Sequence, residues 1–336
     1  MPEPLLEVEE LSVSYFTDAA EIRAVEKVNL SVSAGEFLGI VGESGCGKST
    51  LLFAIAQLLS PPAEITSGRV VFRGQDLVQL TGNELRLVRW RDYSVVMQSA
   101  MNALNPMKSI GAQFKDTIRA HERASADQIR TRSAEVLHLV GIDAAHLDSY
   151  PHQLSGGMRQ RAMIAMALLF TPQLVIMDEP TSALDVVAQR SLMTQIKELQ
   201  QQLGFAVMFV THDMSVVANY SDRVMVMYAG QVAELGDTGS IFERPLHPYS
   251  RGLLDAFPSV RGPRRPLVGI PGSPPDLGRP PSGCRFHPRC SEVMAQCATT
   301  DPELYVVDGT QVRCLLFAEQ PATVPAAMTD GTVSAR

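Results

Sequence analysis

No stretch of this sequence stays apolar long enough to cross a membrane. The longest unbroken apolar run is the nine residues Ala162–Phe170, about half of what a spanning helix needs. The opening residues MPEPLLEVEE are acidic and lack the basic-then-apolar pattern of a secretory signal. A soluble, cytosolic chain is therefore expected, with any membrane role arising through partners. Basic charge is also short, since 29 Lys and Arg face 36 Asp and Glu for a formal net charge of −7. That balance argues against a protein whose main task is gripping nucleic acid by its phosphates. Cysteine is nearly absent from most of the chain: Cys46 stands alone, while Cys284, Cys290, Cys297 and Cys314 crowd the last sixth. In a reducing compartment four clustered thiols point to metal before disulfides. There is no internal repeat, so the 336 residues are expected to hold one principal core.

What is present is an alternation of strand and helix patterns from residue 1 to about 256. Leu5–Tyr15 and Val25–Val32 alternate apolar and polar residues, as half-buried strands do. Phe37–Val41, Leu174–Asp178, Phe205–Val210 and Val224–Tyr228 are short continuous apolar runs, the pattern of buried parallel strands. Helical stretches are expected at Lys48–Leu59, Ser109–Ala120, Ala126–Val140, Gly157–Leu169 and Val186–Leu203. The reading is an α/β core around a parallel sheet. From Pro258 to Gly283 the composition changes, with 13 of 26 residues Pro or Gly, too many for regular structure. The expected division is thus 1–256 and 257–336, with the final segment from about 320 frayed.

One motif carries the chemistry. Gly42, Ser44, Gly45, Cys46, Gly47, Lys48, Ser49 and Thr50 fall in a G-x-x-x-x-G-K-[ST] loop that follows a buried strand and opens a helix. Glycines let backbone N–H groups turn inward around phosphate oxygens, and the helix start adds its dipole. Lys48 would reach the β and γ phosphates, and Ser49 would ligate Mg²⁺. Cys46 is read as a filler of this loop. The strand Leu174–Asp178 delivers Asp178 to the same sheet edge, where a carboxylate can hold Mg²⁺. Glu179 follows it and can orient or deprotonate a water attacking the γ-phosphate. His212, after the run ending at Val210, is expected at that edge as a γ-phosphate contact.

These residues, with others, resemble the ATP-binding cassette ATPases. Leu154-Ser155-Gly156-Gly157-Met158-Arg159-Gln160 is very similar to that family's signature. Gln98 resembles the Q-loop glutamine, Ser182-Ala183-Leu184-Asp185 the D-loop, and Tyr15 the adenine-stacking aromatic. The resemblance implies a P-loop ATPase fold with an antiparallel β subdomain and a helical signature subdomain (about 99–165). It implies two subunits meeting head to tail, so that Ser155, Gly156, Gly157 and Asp185 complete a site across the interface. Gln98 would add to the Mg²⁺ site, and ATP would be the interface ligand.

Finer features are similar to the oligopeptide/dipeptide importer branch: Asn102-Ala103-Leu104-Asn105-Pro106, Leu246-His247-Pro248-Tyr249, and the segment Cys284–Cys290. That branch implies a second, usually different ATPase subunit, two transmembrane permease subunits and an extracytoplasmic solute-binding protein, and a place on the cytoplasmic face of the membrane. It implies no nucleic-acid partner. Nickel, glutathione or another small solute is an alternative cargo. A soluble ATPase in translation or DNA repair is a weaker reading, since the chain has neither tandem cassettes nor long coiled coils. The cysteine spacing C-x5-C-x6-C-x16-C lacks the tight pairs of structural zinc and by itself leaves zinc, iron–sulfur and four unligated thiols open. Only the branch resemblance favours a [4Fe–4S] cluster on Cys284, Cys290, Cys297 and Cys314.

Overall fold

The apolar runs form strands in a computed structural model, which describes residues 3–18, 20–98, 103–182, 184–256 and 269–319. Asn102, the Pro/Gly-rich stretch before residue 269 and the segment expected to fray lie outside the described residues. In chain order the strands are β1 (Leu6–Phe16), β2 (Glu21–Val32), β3 (Phe37–Val41), β4 (Ala63–Phe72), β5 (Gln75–Asp76) and β6 (Tyr93–Val96). They continue as β7 (Leu174–Asp178), β8 (Ala206–Val210), β9 (Arg223–Tyr228), β10 (Gln231–Asp237), β11 (Tyr305–Val307) and β12 (Thr310–Val312).

Two sheets result. The smaller is antiparallel in the order β2-β1-β4-β5, and the larger runs β11-β12-β10-β9-β3-β8-β7-β6. Its centre is parallel, because β3 pairs with both β8 and β9, and β7 with both β8 and β6. Every residue of β3, β7 and β8 is buried, which is why these strands read as continuous apolar runs.

The pleat divides the core in two. Leu38, Ile40, Leu174, Ile176, Met208 and Val210 point toward the small sheet and pack with its Leu6, Val8, Val28 and Val70. Their neighbours Phe37, Val41, Val175, Met177, Val207 and Phe209 point the other way, into a core shared with Phe114, Val136, Ile164 and Ile196 of the helices. A one-residue slip of any central strand would exchange these two sets.

The helices follow their caps. Ser109 opens Ile110–His121, and Ser125 with Gln128 forms a capping box on Ala126–Leu139. Gly156–Ala167 and Val186–Leu203 begin at Ser155 and Asp185. The helix expected over Lys48–Leu59 ends instead at Ile55, since Gln57 takes a left-handed φ of 55°. Among the described residues no helix is long and apolar enough to cross a membrane.

The late segment adds to the main sheet. β12 pairs antiparallel with β10, Glu234 opposite Val312. Beside this seam Glu234 accepts the backbone N–H groups of Leu246 and His247, at 2.8 and 3.0 Å. His247 is buried against Phe286 and Tyr249, and its Nδ1 accepts the Tyr249 N–H at 3.0 Å, a bond only the neutral ring can make.

Burial pushes the His247 pKa down to about 3, with the charges of Arg251 and Arg313 acting in the same sense and a backbone hydrogen bond at Arg313 opposing. The unfolded ring takes a proton below its usual value near 6.5, so the unfolded state binds more protons and stability falls as pH drops through that range. The cost of this one group at pH 5 is about 2 kcal/mol. Glu234, whose carboxyl burial pushes upward, acts in the opposite sense. Thermal unfolding between about pH 7.5 and about pH 5 should therefore show a shallower loss of stability for His247→Gln than for the wild type. Equal slopes would remove His247 as the source.

Candidate nucleotide site

The loop between β3 and the helix Lys48–Ile55 is shaped by contacts that only glycine permits. A Cβ at Gly47 (φ 102°) would stand 2.2 Å from the Ala24 carbonyl oxygen, and one at Gly42 would stand 2.2 Å from that of Met227. The chain is thereby pressed against two neighbouring strands. Lys48 is buried, and its Nζ donates to the carbonyls of Gly42 and Glu43 at 2.8 and 2.9 Å. Cys46 is buried with its Sγ 3.7 Å from Lys48 Nζ. Burial pushes its thiol pKa up against the pull of the lysine charge. Nucleophilic cysteines are the exposed, low-pKa ones, and Cys46 has neither property.

The parallel strands bring the remaining groups to the same edge. Ser49 Oγ donates to Asp178 Oδ1 at 2.9 Å. Burial raises the Asp178 carboxyl pKa, with the Ser49 hydrogen bond and Lys48 opposing and Glu179 reinforcing. Glu179 takes a left-handed φ of 45°, and its N–H donates to the Val210 carbonyl at 3.0 Å. A non-glycine residue in that region is strained and is held there by its surroundings. The turn aims the carboxylate at two partners: Gln98 Nε2 donates to Oε2 at 3.0 Å, and His212 Nδ1 lies 3.4 Å from Oε1. Tyr15 and Thr50 share a hydroxyl–hydroxyl hydrogen bond of 3.0 Å.

Tyr15, Ser44, Gly45, Gly47, Lys48, Ser49, Thr50, Gln98, Glu179 and His212 line one open cavity of about 620 Å³. That volume is within the range of small-ligand sites. Ser49 and Gln98 line this cavity and Asp178 stands behind Ser49, hydrogen-bonded to it; oxygen donors of this kind are the type a hard divalent cation prefers. Sequence reading missed Thr17, Ile22 and Ala24 in the wall, and also Leu277, which reaches in from the far end of the chain. Ile22 and Ala24 lie on β2 beside the loop; nothing in sequence spacing links residue 277 to it.

Other expected residues stand elsewhere. Ser155 Oγ caps the helix Gly156–Ala167 by accepting from Met158 N–H at 3.3 Å, and Asp185 caps Val186–Leu203 by accepting from Ala188 N–H at 2.8 Å. Neither they nor Gly156 and Gly157 are among the residues that line the cavity. The four late cysteines are all free thiols. Cys284 N–H donates to the Cys297 carbonyl at 2.9 Å, while Cys314 packs with Leu246, Val307 and Val312. Burial is the main cause that raises the pKa values of Cys284, Cys290 and Cys314, the last to about 11. Among the described residues no group of three or more His, Cys, Asp or Glu side chains is arranged to hold a metal ion. The expected four-cysteine cluster therefore has no preformed ligand set in this fold.

Comparison with known proteins gives a consistent picture. Residues 25–182 match the family described as ABC transporter, and residues 233–297 match the oligopeptide/dipeptide transporter, C-terminal region. The chain is similar to the dipeptide transport ATP-binding protein DppD of Caldanaerobacter subterraneus, with 42% identity over 94% of this chain and 98% of that protein. It is 43% identical to the oligopeptide transport ATP-binding protein OppD of Haemophilus influenzae, again over 94% of this chain and 98% of that protein. Among solved structures it is similar to the ATP-binding cassette MJ0796 in a dimeric post-hydrolysis state bound to ADP and Pi. There the TM-score is 0.62 at 30% identity, covering 69% of this chain and 98% of that one.

Lys48 is the residue expected to meet the phosphates, and its Nζ stands at the loop, held by the Gly42 and Glu43 carbonyls. Lys48→Ala should weaken MgATP binding about 100-fold, the scale of losing a strong charge-assisted contact. Calorimetric titration of the purified chain checks this, and wild-type affinity would remove Lys48 from the site.

Proposed function

This chain belongs to the ATP-binding cassette transporter family, and we propose that it is the ATP-binding and hydrolysing subunit that energises import of di- and oligopeptides. The observation that carries the reading is the convergence of Lys48, the Ser49–Asp178 pair and the Gln98–Glu179–His212 group on one cavity. Two family matches and relatives named for peptide transport support the branch.

In this reading the loop amides and Lys48 bind the phosphates, and Tyr15 stacks on the base. Ser49, Asp178 and Gln98 would hold Mg²⁺, which neutralises phosphate charge when bound. Glu179, fixed between Gln98 and His212, orients the attacking water and accepts its proton. His212 stands where the γ-phosphate would lie. Ser155, Gly156, Gly157 and Asp185, at two helix starts outside the cavity, serve the site of a second ATPase subunit. ATP then joins the subunits and hydrolysis parts them. Residues 1–256 form the nucleotide-binding domain, with a helical subdomain over about 99–165, and 257–336 a C-terminal module.

Two permease subunits and an extracytoplasmic binding protein complete the transporter, with this chain peripheral on the cytoplasmic face. A groove of about 350 Å³ between the helices Ile110–His121 and Ala126–Leu139 supports permease docking. Lys115 and Arg119 lend it positive charge, while Arg130 is paired with Asp148 across 3.7 Å in the same wall, and the buried Ser133 hydroxyl has no hydrogen-bond partner in the structure.

The chain should be co-purified with its permeases and reconstituted in liposomes. Binding protein carrying a di- or oligopeptide should stimulate ATP hydrolysis; stimulation by nickel or glutathione but not by peptide would replace the cargo. In that preparation Glu179→Gln should bind MgATP normally and lose hydrolysis by about 100-fold or more, the scale of a missing general base. Unchanged turnover would refute the role of Glu179.

For the tail, a [4Fe–4S] cluster on Cys284, Cys290, Cys297 and Cys314, with zinc as the alternative, rests on the branch resemblance and on the chemistry of four thiols. Its expected role is structural, because so Pro/Gly-rich a segment has little core of its own. Metal analysis of anaerobically purified protein should find about four iron atoms per chain. An iron-free, colourless sample with stoichiometric zinc would decide for zinc, and one with neither metal would retire both.

A further inference from the structure

The second residue of the phosphate loop, Glu43, is gripped from three sides. Its backbone N–H donates to the Tyr249 hydroxyl at 2.8 Å. Its carbonyl accepts from Lys48 Nζ at 2.9 Å. Its carboxylate receives both ends of the Arg289 guanidinium, Nη1 at 2.7 Å and Nη2 at 2.9 Å, across 246 residues of sequence. Arg289 is 8% exposed, donates through Nε to the Pro271 carbonyl at 2.8 Å, and lies over the Tyr228 ring. A two-pronged, half-buried pair of this kind fixes orientation as well as charge, and lysine cannot reproduce it. From the same late segment, Leu277 lines the nucleotide cavity beside Tyr15 and Ile22.

We propose that Arg289 is a positioning residue for nucleotide binding, acting through Glu43. The late segment that carries Arg289 and Leu277 is then part of the nucleotide site and not an appendage. The path is short. Arg289 holds the Glu43 side chain, Tyr249 holds its amide, and the Glu43 carbonyl is one of two perches that hold Lys48. Releasing the carboxylate frees the loop residue that places the phosphate-binding ammonium. Both Glu43 carboxylate oxygens are taken by the Arg289 guanidinium, so the pair neutralises a negative charge in the loop that would otherwise oppose phosphate. This inference rests on the nucleotide site proposed above.

The test measures MgATP affinity of the full chain by calorimetry for Arg289→Lys, Glu43→Gln and the double variant. Arg313→Lys serves as a control. Arg313 also anchors the late segment, donating to the carbonyls of Val232 and Pro302 at 3.2 and 2.9 Å, but does not touch the phosphate loop. Each single variant should weaken binding by about tenfold, within the usual span of coupling between sites, and the double variant should be no worse than the weaker single. In the reconstituted transporter the same variants should raise KM for ATP and leave kcat within about twofold. Arg313→Lys should lower thermal stability and leave MgATP affinity unchanged. The proposal is overturned if Arg289→Lys and Glu43→Gln both bind MgATP as the wild type does, if their effects simply add, or if Arg313→Lys weakens binding equally. Should Arg289→Lys fail to fold, Glu43→Gln decides alone, since it leaves the late segment's own residues intact. Normal binding by these variants alongside loss in Lys48→Ala defeats only this inference; normal binding by Lys48→Ala defeats the site itself.

Discussion

The nucleotide site hangs from one register. Asp178 lies opposite Val210 across β7 and β8, and Val210 opposite Ile40 across β8 and β3. Because all three strands run parallel, their C-terminal ends share an edge, and the residues that follow them arrive together. The Gly42–Lys48 loop follows β3, Glu179 follows β7 and His212 follows β8. Two hydrogen bonds extend the pairing past the strand ends, from Glu179 N–H to the Val210 carbonyl and from Thr211 N–H to the Ile40 carbonyl, at 3.0 and 3.2 Å. The helices and the small sheet bury the two faces of these strands, and in doing so they hold the register that makes the site.

That rigidity is what allows costly local geometry. Glu179 in the left-handed region and a loop pressed to within a Cβ of two carbonyls would each unfold in a looser frame. Residues in such regions cost about 1–3 kcal/mol each and persist only where the surroundings over-determine them. Here the surroundings are β7, buried at every position, and the Gln98 and His212 partners. The strain has a use under the proposed mechanism, because it turns a carboxylate out of the strand direction and into the cavity.

Most of this edge was legible in the sequence, because its determinants are local. Buried parallel strands read as short apolar runs, the loop pattern fixes its own turn chemistry, and caps such as Ser109, Ser125 and Asp185 sit at the helix starts. The structure matches the expected helices Ser109–Ala120 and Val186–Leu203 to within a residue. The end of the first helix was not legible, since Leu58 and Leu59 continue the apolar pattern while Gln57 has already broken the backbone. The late segment was hidden for a deeper reason. β11 and β12 have three residues each and gain their stability from β10, some 75 residues earlier, so no periodicity announces them. The Arg289–Glu43 pair and the reach of Leu277 are likewise products of long-range packing. Cysteine spacing showed a cluster in sequence but carries no information on whether the thiols converge in space.

A nucleotide seated on the proposed site leaves two helix starts of this chain without a ligand. Ser155 and Asp185 cap their helices by side-chain hydrogen bonds, yet neither side chain borders the cavity that contains Lys48 and Glu179. A glycine-rich helix start with unused amides is a ready anion site, and burying phosphate at two separate places in one subunit would require two ligands. Division of each ATP between two subunits removes that requirement. It also gives hydrolysis something to do, since loss of the γ-phosphate then weakens an interface and not merely a pocket. On that logic the late segment has a place in the cycle too. Its grip on Glu43 lies on the loop side, within one subunit, so under the proposal it would set how firmly ATP is held before a partner arrives. In the proposed cycle the signature side would set how firmly the partner is held once ATP is bound.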